Sequence, residues 1–270
     1  MHIASIASNI PMFKGNFELN LDFFQTKSPS LIGVDISSSS VKMVELSMDG
    51  KGENAYCIES YAIEKLPLDA MQEGGVANFD AVSEGLQRAW KRMGSKLHNV
   101  ALALPAAAVI TKKIVVPAGQ REDDLAFQVE NEASQYIPFA LDEVDLDYQV
   151  IRPLPNNQDE IEGLIAASRK EKVEDRVAAA LTAGLNAVVM DVEPYASQAA
   201  FGLVEKQLPD GGKDQVIALV DIGATMMAIN ILHNGESIYV RDQTFGGNQL
   251  TQEIHNQFNL SPEDAEAAKR

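Results

Sequence analysis

Ile32-Gly33-Val34-Asp35-Ile36-Ser37-Ser38-Ser39 is an apolar run, an aspartate and a turn of small residues, and Ala218-Leu219-Val220-Asp221-Ile222-Gly223-Ala224-Thr225 repeats that order far along the chain. Each stretch is followed by a second run of strand character, so each reads as a hairpin. Two such hairpins facing each other across a cleft would bring two aspartates and two small-residue turns toward one site. Turn amides and hydroxyls can hydrogen-bond phosphate oxygens there, while Asp35 and Asp221 hold a divalent cation directly or through water, an arrangement suited to a magnesium-bound nucleotide. One hairpin alone reads equally well as an ordinary tight turn, because Asp, Gly and Ser are favoured in turns anyway. The matched order of the two carries the inference. Lys42 follows in the second strand of the first hairpin and could reach a phosphate, although a strand lysine more often belongs to a solvated face.

Composition bounds what else the chain can do. With 46% hydrophobic and 23% charged residues over 270 positions, it can bury one large core or two ordinary ones. Its 39 acidic against 22 basic residues give a formal charge of −17, which repels phosphate backbones and anionic headgroups and argues against a nucleic-acid partner. A small polyphosphate is not excluded, because a few amides, one lysine and a metal ion suffice to hold it. The single cysteine, Cys57, cannot form an intrachain disulfide; it sits in an apparent strand and reads as a small core residue, consistent with a reducing compartment. The four histidines (His2, His98, His233 and His255) lack metal-ligand spacing. The segment Val100 to Ile110 is the longest apolar stretch and contains Pro105, so neither a signal peptide nor a transmembrane helix is expected.

The punctuation of the chain suggests its organisation. Residues 1–29 scatter Phe13, Phe17, Phe23 and Phe24 among polar residues in no period sustained over the segment, and read as a poorly ordered lead-in or docking arm. Strands at Leu31 to Asp35, Val41 to Leu46 and Tyr56 to Leu66, with a turn at Asp49-Gly50, precede a helix from Asp80 to Met93. That helix has Val82, Leu86 and Ala89 or Trp90 on one face and Gly94 past its end. A small mixed unit covers residues 97–168: strands near Val100 to Leu104 and Val109 to Val116, a helix over Glu122 to Tyr136, and strands Val144 to Ile151 and Ile161 to Ser168. A helix from Glu171 to Ala183, a strand from Ala187 to Val192 and a helix opened by Pro194 follow. Leu208-Pro209-Asp210-Gly211-Gly212 is the clearest boundary, after which the pattern restarts.

The paired hairpins resemble the two phosphate loops of the actin, Hsp70 and sugar kinase superfamily. A closer resemblance, from Ser30 to Arg270, is to the PilM family of type IV pilus assembly proteins, related to the cell division protein FtsA. It is carried by Leu31 to Ser38, Gln135-Tyr136-Ile137-Pro138-Phe139, Ala166 to Glu171, Asp191-Val192-Glu193-Pro194-Tyr195-Ala196 and Phe245 to Thr251. The resemblance implies an α/β, actin-like (ribonuclease H-like) two-lobed fold. Residues 30–96 and 169–208 would form the first lobe, 97–168 an FtsA-type inserted subdomain and 209–270 a partial second lobe. By the same resemblance ATP and Mg would be held by Asp35, Ser38, Ser39 and Lys42 on one side and Asp221, Gly223 and Thr225 on the other. Gly246 and Gly247 would let backbone approach the nucleotide, or else simply form a helix-capping turn. Asp191 and Glu193 stand where related enzymes join the lobes and position water. They are equally well-placed acidic residues at a helix N-terminus, and the sequence favours that second reading. Ser37 stands where a glycine often follows, leaving a hydroxyl available. Family members continue past the position of Arg270, so nucleotide affinity is expected to be weak or lost.

Three functions compete. The first is a cytoplasmic, nucleotide-bound scaffold reaching the inner membrane only through partners, docking the N-terminal peptide of PilN alongside other pilus assembly proteins, with a homo-oligomer compatible. The second is an active ATPase or phosphotransferase of the same fold, for which no positioned base or substrate pocket is evident. The third is an FtsA-like division filament, which would call for an amphipathic membrane helix.

Overall fold

Alternating burial along the first strand organises the molecule. In the computed structural model, which describes residues 30–48 and 56–270, β1 (Ile32–Ile36) buries Ile32, Val34 and Ile36 on one face and turns Gly33 and Asp35 to the other. β2 (Ser40–Met48) pairs with it antiparallel, and β3 (Tyr56–Lys65) adds outside β2. The arm expected over 1–29 and the turn at Asp49-Gly50 lie outside the described residues. Cys57 is a correction: it is exposed, because β3 is the edge strand of its sheet among the described residues and only its Ala62 is buried. A two-stranded turn, β4 (Met71–Gln72) with β5 (Gly75–Val76), precedes α1 (Phe79–Met93).

α1 forms where expected, for local reasons. The Asn78 side chain accepts from the Ala81 amide at 3.1 Å, Val82, Leu86 and Ala89 make the buried stripe, and Gly94 closes the end at φ 69°. β6 (Asn99–Leu104) then lies parallel to β1, and the connection at 105–108 leads out of this sheet. β7 (Val109–Pro117), α2 (Glu122–Ala133), β8 (Val144–Leu154) and β9 (Asn157–Arg169) build a separate sheet of order β7-β9-β8. Its own core contains Ile114, Val116, Leu125, Val129 and Ile165. α2 stops three residues short of the expected Tyr136, which lies in a turn before Pro138.

α3 (Lys170–Thr182) returns the chain to the first core, Gly184 at φ 87° turns it, and β10 (Asn186–Val192) completes a five-stranded sheet of order β10-β6-β1-β2-β3. α4 (Glu193–Phe201), with Pro194 in its first turn, leaves toward the last unit. There β11 (Val216–Ile222), β12 (Met227–His233) and β13 (Glu236–Gln243) form an antiparallel sheet, followed by α5 (Gly247–Phe258) and α6 (Pro262–Lys269). α4 is fastened to that sheet by Asn230, which is 4% exposed, donates to the Pro194 carbonyl at 2.8 Å and accepts from the Ser237 hydroxyl at 2.6 Å.

Candidate functional site

The two repeated stretches are the same hairpin built twice. In the first, Asp35 pairs with Lys42 and Ile36 with Val41, and the Ser37 amide closes the turn on the Ser40 carbonyl at 3.0 Å. In the second, Asp221 pairs with Ala228 and Ile222 with Met227, and the Gly223 amide closes on the Met226 carbonyl at 2.9 Å. Each aspartate therefore occupies the same place in its strand, two residues before a four-residue turn. The Ser37 hydroxyl, expected to be available, instead donates to the Ser40 carbonyl at 3.0 Å, because a serine there can reach back across its own turn. Ser38 and Ser39, at the apex, have side chains with no hydrogen-bond partner among the described residues. Lys42 is neither free nor merely solvated: its Nζ sits 2.7 Å from Asp35 Oδ2, both side chains being about half exposed.

Gly223 is needed for its size, since a Cβ would lie 2.9 Å from the Met226 carbonyl oxygen. At Gly246 the constraint is tighter, with a Cβ 2.5 Å from the Ala224 backbone. The close approach that Gly246 allows is thus to the second hairpin turn. The Gly247 amide donates to the Gly223 carbonyl at 2.9 Å and the Asn248 amide to that of Ala224 at 2.8 Å, which locks the start of α5 onto the turn holding Thr225.

Electrostatics show which groups lie within reach of both hairpins. The Glu193 carboxyl, at the junction of β10 and α4, is pushed up to about 7 by burial; Arg176 opposes the shift, while Asp35, Asp242 and Asp221 add repulsion. Both repeat aspartates therefore act on one buried glutamate. Asp191 is also raised to about 7, by burial against a hydrogen bond from the Val192 amide at 2.7 Å. Its charge acts on Tyr195, and the carboxylates that act on Glu193 are not among the groups that shift it.

Two members of this constellation escaped sequence reading. Arg176 of α3 is 2% exposed, donates to the Gly74 carbonyl at 2.7 Å, and feels Glu193, Asp35 and Asp175, while burial pulls its pKa down. An arginine three residues after Val173, on the apolar stripe of an amphipathic helix, was the available signal. Asp242 of β13 accepts from the Ala107 amide at 3.0 Å and so joins the last sheet to the connection leading into the inserted unit.

That connection also borders a groove of about 250 Å³ between the inserted sheet and α3, lined by Ile110, Ile137, Phe139, Ala167, Arg169 and Lys172 among others. Its walls are mainly apolar, and the Arg169 guanidinium lies 5.0 Å over the Phe139 ring. Among the described residues no group of three or more His, Cys, Asp or Glu can hold a metal ion by itself, and no helix is long and apolar enough to cross a membrane.

The chain as a whole has relatives among known proteins. The family described as type IV pilus assembly protein PilM matches residues 33–270. Among solved structures the chain is similar to one titled PilM-PilN type IV pilus biogenesis complex, at 30% identity and a TM-score of 0.72, over 88% of this chain and 68% of that one. The ethanolamine utilization protein EutJ from Carboxydothermus hydrogenoformans aligns at 16% identity and a TM-score of 0.51, over 90% of this chain and 61% of its own, a likeness of fold alone. The cell division protein FtsA of Enterococcus faecalis is 21% identical over 90% of this chain, which spans 58% of that relative's length. The fold is the actin-like α/β fold that the family resemblance implied. Matched by the family from Gly33 to its last residue, the chain belongs to the PilM family of type IV pilus assembly proteins.

Proposed function

We propose that this chain is a nucleotide-binding scaffold on the cytoplasmic side of the type IV pilus inner-membrane assembly complex, docking the N-terminal peptide of PilN and reaching the membrane through such partners. The observation that carries the nucleotide site is the pair of equivalent aspartate hairpins acting on one glutamate. The residues fit a bound ATP. Ser38 and Ser39 offer apex hydroxyls without partners among the described residues, Gly223 and Thr225 form the opposite turn, and Lys42 can exchange Asp35 for a phosphate. Among the described residues no group of three or more His, Cys, Asp or Glu can hold a metal ion, so Asp35 and Asp221 would hold Mg through its water shell, and Mg would neutralise the polyphosphate between them. The groove beside Phe139 is the peptide site under this reading, its apolar walls and Arg169 suiting an apolar segment with an acidic group.

Calorimetry with magnesium-ATP tests the first half: micromolar binding lost in both Asp35→Ala and Asp221→Ala supports the cleft, and binding that survives in both overturns it. A labelled synthetic PilN peptide tests the second half, with Phe139→Ala expected to weaken it at least about tenfold and Asp221→Ala to leave peptide binding to the groove intact.

The ionisation of Glu193 favours a second reading. A carboxyl titrating near 7 beside two aspartates is suited to take a proton from water, which would make the chain a slow ATPase with Glu193, rather than Asp191, as the base. Phosphate release equal in wild type and Glu193→Gln would remove it.

A further inference from the structure

The turn at 105–108 is held from two sides, and both holders reach the cleft. From the last sheet, Asp242 of β13 accepts from the Ala107 amide at 3.0 Å, and its charge also acts on Glu193. From the side of the five-stranded sheet, Gly74 at φ 74° lies so close to the Pro105 ring that a Cβ there would stand 2.8 Å from Pro105 Cγ. The Gly74 carbonyl is in turn held by Arg176 of α3, whose guanidinium feels Glu193 and Asp35. The same turn also belongs to the groove. Ala107 and Ala108 line it, and the Ala108 carbonyl accepts at 2.8 Å from the hydroxyl of Ser168, a buried residue that lines it too. Lys172, one helical turn before Arg176 on α3, is a further lining residue.

We infer that nucleotide in the cleft and peptide in the groove bind cooperatively, each strengthening the other, with Asp242 as the positioning residue that couples them through the Ala107 amide. This rests on the scaffold reading of the two sites. The hairpins that would grip the nucleotide sit in different sheets, β1–β2 in the five-stranded one and β11–β12 in the last. A ligand held by both therefore fixes the last sheet against the five-stranded one. Asp242 moves with the last sheet, while Pro105 is wedged against Gly74 on the other side, so the same fixing keeps Asp242 on Ala107 and sets the groove wall. The contact is a two-state element that opens easily, because Ala107 is exposed and its amide can take water when Asp242 leaves. A peptide that needs the wall in place gains affinity when nucleotide is bound. By linkage the nucleotide gains the same factor from the peptide.

Fluorescence anisotropy of the labelled PilN peptide, with and without saturating magnesium and a non-hydrolysable ATP analogue, reads the factor directly. Peptide affinity should rise at least about fivefold with the analogue, and calorimetry should give the analogue the same gain from the peptide. In Asp242→Ala the ratio of affinities should fall toward one, whatever happens to either affinity alone. Asp242→Asn, which can still accept from the Ala107 amide, should keep most of the gain. Amide exchange at Ala107 in the unaltered chain, a readout that needs no variant, should slow about tenfold when the analogue is added. Affinities that ignore or oppose each other, a ratio unchanged in Asp242→Ala, or exchange at Ala107 indifferent to the analogue would overturn the coupling and leave the scaffold reading standing. Failure of either ligand to bind by itself would overturn that reading and the coupling with it.

Discussion

Glu193 is a carboxyl that folding makes reluctant to ionise, and the consequence has a definite sign. With its folded pKa near 7 and an ordinary value of 4.5, the native state holds a proton that the unfolded chain has released between those limits, and Asp191 behaves likewise from 3.8. Stability contributed by these groups is full below about pH 4 and is lost as pH rises through 7. Urea unfolding between pH 5 and 8 should show this decline, and Glu193→Gln should flatten it; an unchanged slope in the variant would refute the assignment. At Gly246 the constraint is steric. A methyl group there meets the Ala224 backbone, which cannot rotate away, so Gly246→Ala should cost about 1–3 kcal/mol in denaturant unfolding. The sequence marked Gly246 as a glycine beside a helix start, yet not the surface it approaches, because that contact joins segments distant in the chain.

Among the elements, α3 and α4 carry the cleft. Arg176 reaches from α3 to the Gly74 carbonyl and holds positive charge against Glu193 and Asp35. Arg176→Met keeps the bulk but removes that charge, so the Glu193 pKa should climb further and magnesium-ATP binding should weaken, read by NMR titration and calorimetry on the same variant. The local signals read in the sequence were those that act within an element: Gly94 past the end of α1, the stripe of Val82, Leu86 and Ala89, and Pro194 at the start of α4, while the Asn78 cap of α1 was there to be read and was not. The hairpin between β12 and β13 was also legible and went unread, since Asn234 at φ 52° and Gly235 at φ 75° form an Asn-Gly turn. Pairing across the sheet was not legible, and this is why Cys57 looked like core: nothing local says that β3 is an edge.

Across the whole molecule, the inserted sheet is tied to the last sheet by charges. Glu236 of β13 accepts from both guanidinium nitrogens of Arg152, one at 3.1 Å, and lies 3.7 Å from Lys113; Arg152 also meets Glu162 at 3.0 Å. With Asp242 on the Ala107 amide, this forms a bridge from the cleft side to the groove side of the molecule. Because the pairs are partly exposed, Glu236→Gln should change global stability by less than about 1 kcal/mol, while making amide exchange at 105–108 faster and less sensitive to salt than in wild type. The repeat has one further consequence at this scale. Val34 and Ile36 of β1 are 6% and 4% exposed, whereas Val220 and Ile222, in the same places on β11, are 52% and 60% exposed. An isolated 270-residue chain should therefore behave as a colloid held apart by its charge of −17. Added salt shortens that repulsion to a few ångströms, and light scattering should then rise with protein concentration, as greasy strand faces find one another.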